Sequence, residues 1–121
     1  MHPLVFNVPI PKRMGRFRVR VHVYDTHAQA LHAIKAAHGK HDNNTAATVT
    51  WAHPIRGRVA DMFFTYRCAR PGVIAHESGH AALSVVRHIW GFGDDTEEYF
   101  AEILERFTDR IWTKIHGSDL A

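Results

Sequence analysis

Residues 76–80 read His-Glu-Ser-Gly-His, two imidazoles and a carboxylate at a spacing that a helix turns into geometry. Positions i and i+4 of a helix lie one above the other, so His76 and His80 would present two nitrogens to one point. Glu77 stands about 100° round the helix, where it can hold a water at that same point. Two neutral imidazoles beside a water and a basic carboxylate are the working parts of a zinc-dependent hydrolase. His76 and His80 are therefore the expected metal ligands and Glu77 the expected general base. With 11 His in 121 residues, random placement would give roughly 0.04 such strings. The surrounding residues must decide between chemistry and accident.

The element that has to carry the string is helical by its own signals. Pro71 and Gly72 open the segment, Pro being suited to a first helical turn. Val73 to Trp90 then runs without a breaker except Gly79, and Gly91 and Gly93 stop it. Ile74, Ala81, Ala82, Val85, Val86 and Ile89 gather on one face, whereas His76 and His80 project from the other, near Ser84 and Arg87. The bland alternative is a pair of surface histidines on an amphipathic helix. The two-sided wheel and the paired carboxylate favour the metal.

A catalytic zinc takes three protein ligands and keeps a position open for water. His88 lies two turns beyond His80, about 12 Å along the axis, too far to share a metal. A ligand six residues after His80 would fall on Val86, which excludes the longer three-histidine pattern. The next helix begins Asp95-Thr96-Glu97-Glu98, and both glutamates are candidates. Glu98 could instead close a capping box with Asp95. The apolar stripe Phe100, Leu104, Phe107, Ile111 and Ile115 passes closer to Glu97 than to Glu98.

Val73-Ile-Ala-His-Glu-Ser-Gly-His-Ala-Ala-Leu83, followed by Glu98-Tyr-Phe-Ala101 and an apolar helix, resembles the small single-domain gluzincins, or minigluzincins. It is also similar to short phage-borne proteins and to repressor-cleaving metallopeptidases of the ImmA/IrrE type. The likeness covers roughly residues 57–112. It implies a zincin-like α+β fold, one zinc ion per chain, and Glu98 as the third ligand, since there a glutamate of the next helix is followed by a small residue at i+3. It further implies peptide hydrolysis, with a peptide or protein as substrate. Tyr66, Tyr99 and His53 have the chemistry to assist at the oxyanion, and nothing in the sequence picks among them.

Around this centre the chain reads as arm, strand, helix, strand, strand, metal helix, final helix. Residues 1–15, with Pro3, Pro9, Pro11 and Gly15, predict an irregular arm. Phe17 to Tyr24 alternates as a strand, and Thr26 with Gln29 is spaced to cap a helix running to about His38. A polar loop at 41–45 follows. Strands are predicted over Thr48–Ala52 and Arg58–Arg67, and a last helix over Thr96 to about His116. The result is one domain, a sheet of about three strands with the helices on one side. If the strand before the metal helix is the sheet edge, it could pair with an extended peptide.

No apolar run reaches the ~18 residues of a membrane span, and the N-terminus lacks the pattern of a signal peptide. Cys68 is alone, which excludes an internal disulfide and a cysteine-based zinc site. A cytoplasmic protein of a bacterium or an infected cell is expected. Net charge is +3 and the sequence pI about 9.4. Arg16, Arg18 and Arg20 alternate with Phe17, Val19 and Val21, giving one strand a basic face. Two other readings follow: a non-catalytic relative that keeps the metal for partner binding, and a basic nucleic-acid-associated domain.

Overall fold

The computed structural model describes residues 3–38, 46–89 and 95–117. The elements are β1 (Leu4–Pro9), a 3-10 turn (Lys12–Met14), β2 (Arg18–Tyr24), α1 (His27–His38), β3 (Ala47–Ile55), β4 (Arg58–Thr65), α2 (Pro71–Ile89) and α3 (Thr96–His116). The predicted polar loop at 41–45 and the glycine stops at 39, 91 and 93 lie outside the described residues. The class is α+β, with a mixed sheet of four strands in the order β1-β2-β4-β3.

The fourth strand corrects the expected arm. Leu4 to Pro9 pairs antiparallel with β2, Leu4 opposite Val23 and Pro9 opposite Arg18. Prolines disguised it, yet as an edge strand with its proline at the last position it loses little of the ladder. Ile10 N–H still donates to Phe17 O at 3.0 Å.

The strand before α2 is not an edge. β4 lies between β2, to which it is parallel, and β3, to which it is antiparallel. Val59 to Thr65 is buried throughout, as befits a strand covered on both faces. The edge beside α2 is β3. It joins β4 through Arg56 (φ 51°) and Gly57 (φ 85°), the left-handed pair of a two-residue hairpin turn. Its ladder to β4 is regular from Ala47 to Thr50 and interrupted until Ile55.

The helices are not all on one side. Val19, Val21, Val23, Met62 and Phe64 face a core shared with Ile74, Val85 and Val86 of α2 and Ile103, Phe107 and Ile111 of α3. Alternate residues point the other way, where Phe63 of β4 and Val49 of β3 meet Ile34 of α1. The sheet thus separates α1 from the α2–α3 layer. α1 begins as its sequence predicts: Thr26 N–H donates to Gln29 Oε1 and Gln29 N–H to Thr26 Oγ1, each at 3.2 Å.

Candidate metal centre

Helix α2 turns its apolar face, with Ala81, Ala82, Val85 and Val86 fully buried, onto the sheet and α3. That fixes the opposite side, where His76 and His80 stand exposed. Their Nε2 atoms lie 3.3 Å apart, the rings nearly perpendicular at 79°. Two nitrogens about 2.0–2.1 Å from one tetrahedral ion would stand roughly 3.3 Å apart. The pair is spaced as two zinc ligands would be.

Glu77 is placed differently from its neighbours. It is 8% exposed, and its Oε2 lies 4.0 Å from His76 Nε2. The carboxylate is braced by a residue that sequence reasoning missed. Thr48 Oγ1 of β3 donates to Glu77 Oε1 at 2.8 Å and lies 3.1 Å from the Glu77 main-chain oxygen. Side chains alternate along β3, so Val49 faces α1 while Thr48 and Thr50 face α2. The clue was present in the Thr-x-Thr of the strand, but it can be read only once β3 is known to be the edge over α2.

A groove of about 480 Å³ starts at His80 and runs between β3 and α2, past Thr50 and Ser84 to Arg87 and His88. His88 is not available to a metal in this arrangement: its Nε2–H donates to Trp51 O at 2.8 Å. The same Trp51 is held from the opposite face, where its indole N–H donates to Asp61 Oδ2 at 2.9 Å. Asp61 also accepts from His22 Nε2 at 2.8 Å and lies 3.4 Å from Arg58 Nε. Burial pushes the Asp61 carboxyl up, but the His22 and Trp51 hydrogen bonds and the Arg58 charge hold it below the ordinary carboxylate range. Burial, then the Asp61 charge, raise the Tyr24 hydroxyl.

Glu97 and Glu98 occupy the first turn of α3, both exposed. The capping box suggested for Glu98 lacks its first half, because Asp95 makes no side-chain cap hydrogen bond. The buried stripe is Ile103, Phe107 and Ile111, with Phe100, Leu104 and Ile115 only partly buried. Glu98 lies about 140° round from Ile103. Among the described residues no group of three His, Cys, Asp or Glu is assembled to hold a metal. The structure therefore brings together His76, His80 and Glu77, and does not bring either glutamate of α3 to them. Tyr66 is exposed in the turn after β4, His53 is exposed on β3, and Tyr99 packs against the core.

No protein family, curated protein or solved structure matches this chain. Among the described residues no helix is long and apolar enough to cross a membrane.

Proposed function

We propose that this protein is a small cytoplasmic zinc-dependent peptidase with a zincin-like fold of the gluzincin type. The observation that carries the reading is the 3.3 Å spacing of the His76 and His80 Nε2 atoms beside a buried, braced Glu77. His76 and His80 would hold one zinc ion through Nε2, with Glu98 as third ligand. Glu98 suits the role because its carboxylate is exposed on the helix packed against α2, without an ion pair or hydrogen bond among the described residues. A zinc ion bound there supplies Lewis acidity, lowering the pKa of water and polarising the scissile carbonyl.

The remaining work belongs to the chain's own groups. Thr48 occupies Oε1 of Glu77 and fixes the carboxylate plane, which leaves Oε2 to accept a proton from water. The water oxygen bonds to the carbonyl carbon. Glu77 then passes its proton to the amine nitrogen as the C–N bond breaks. The groove leading from His80 has the volume of a ligand cleft, and its β3 wall is the sheet edge that an extended peptide would meet.

The test is elemental analysis of purified protein after mild dialysis. Wild type should retain close to one zinc per chain and His80→Ala little; equal metal in both would end the proposal. Glu98→Ala should lose zinc while Glu97→Ala keeps it, and the reverse would move the ligand back by one residue.

A further inference from the structure

Charge is divided sharply along this chain. Residues 1–75 contain 11 Lys and Arg against 3 Asp and Glu, and residues 76–121 contain 4 against 9. The small net charge thus conceals +8 over residues 1–75 and −5 over residues 76–121. Asymmetry of this size points to an anionic partner rather than to solubility alone.

The fold concentrates the positive part. Arg18 and Arg20 of β2 point away from the main core, because Val19, Val21 and Val23 point into it. Arg58 stands opposite Arg18 across the β2–β4 ladder, and Arg56 occupies the adjoining turn. Like charges placed directly opposite destabilise a sheet, and little offsets them here. Asp61 lies near Arg58 but is already engaged by His22 and Trp51. Arg18 donates to the main-chain oxygen of Arg56, not to a carboxylate. Asp61 stands opposite Arg20 in the ladder, but among the described residues neither Arg20 nor Arg56 forms a salt bridge.

This part of the sheet is partly exposed. α1 packs through Ile34 over Val49 and Phe63, while at the end where β2 begins Arg18 and Arg20 are half-buried and Arg56 is exposed. There Asn7 and Pro9 of β1, both exposed, flank Arg20 and Arg18. Exposed apolar side chains border it on the two edge strands: Val5 at 47% on β1 and Ile55 at 45% on β3. A duplex would offer such a face its phosphates only. An unpaired strand offers phosphates to the arginines, and base faces to guanidinium planes and apolar side chains.

We propose that this part of the sheet, on the side away from the HExxH helix, binds single-stranded nucleic acid. Arg18, Arg20 and Arg56 contact phosphates, and Val5 and Ile55 contact bases. The activity is independent of the metal and of Glu77.

Fluorescence anisotropy with a labelled oligo-dT of about 20 nucleotides, longer than one small-domain site, tests this on the whole protein. Binding should be in the micromolar range at about 50 mM salt and weaken steeply as salt rises. Arg20→Gln with Arg56→Gln should weaken it about tenfold or more and lower the salt slope by about 1–2. Neither guanidinium makes a described contact that the fold needs, and unchanged circular dichroism checks this. Arg110→Gln with Lys114→Gln removes the same charge from α3 and should leave binding within about twofold. The proposal is overturned by no binding at low salt, or by equal loss in both double variants. It is equally overturned if a duplex of the same length binds as tightly, or if poly-glutamate or phosphatidylserine vesicles compete as well as unlabelled oligo-dT.

Discussion

The two ends of helix α2 carry histidines of opposite kinds. At the N-terminal end His76 and His80 are exposed, face each other at 3.3 Å, and stand beside a buried carboxylate. Two turns on, His88 has the same chemistry, but a main-chain oxygen of the edge strand occupies its Nε2–H. His116 is similar, donating Nε2–H to Ala69 O at 2.8 Å, and His22 donates to Asp61. In a chain with 11 His, the proposed ligands His76 and His80 are set apart from these three by ring nitrogens that meet each other instead of a structural acceptor. One end of the helix carries the pair and carboxylate proposed to hold an ion and move a proton, and the other holds β3 in place.

Substitutions at the two ends should separate in kind as well as in size. The largest effect is expected at Glu77. Glu77→Gln should lower peptide-library cleavage by about 10²–10⁴-fold with zinc content unchanged, and equal cleavage by variant and wild type would remove Glu77 from the reaction. Asp61→Asn should act on stability, costing about 1.5–3 kcal/mol by urea denaturation because a buried charge-assisted network is weakened. Its pH signature has a defined sign. Since the folded carboxyl titrates below its unfolded value, the stabilisation is present above about pH 4 and is lost as pH falls through the lower folded value. The Asn variant should lack that component.

His88→Ala should cost about 1 kcal/mol and leave zinc stoichiometry intact; loss of zinc would erase the distinction between the two ends. Thr48→Val should cut cleavage by about fivefold, the kinetic equivalent of one hydrogen bond of about 1 kcal/mol, with zinc retained. Smallest of all is Gly79→Ala. A Cβ there would meet nothing within 4 Å, so the helix should gain about 0.5–1 kcal/mol. If cleavage fell while stability rose, the space beside Gly79 would be one that the substrate uses.

Local patterns in the sequence locate the elements well. α3 falls on Thr96–His116, and the Thr26–Gln29 cap forms as spaced. Ile74, Ala81, Ala82, Val85 and Val86 of α2 are buried as the wheel requires. What local pattern cannot carry is order in the sheet. Val59-Ala-Asp-Met-Phe-Phe-Thr65 reads equally as an edge or a centre until its unbroken burial is seen. The near-continuous apolar run was the available signal for a central strand. Two further features hang on that strand order: β3 as the wall of the groove and Thr48 as the brace of Glu77. Asp61 and Trp51 sit on different strands of a hairpin, and their pairing follows from a register that puts Asp61 opposite Val49 and so diagonal to Trp51, which no periodicity reveals. Leu4–Pro9 was hidden because prolines at a strand's margins look like prolines in a coil.

The irregular stretch of β3 also bears on how this protein avoids its own kind. An exposed sheet edge invites open-ended strand pairing between copies, which is the seed of aggregation. Here the regular ladder of that edge ends at Thr50, and Pro54, which has no N–H to offer, interrupts the remainder. The Trp51 main-chain oxygen is already taken by His88. A second copy would find only about four residues of ordered edge, enough to seat a short extended segment and too little to propagate a shared sheet.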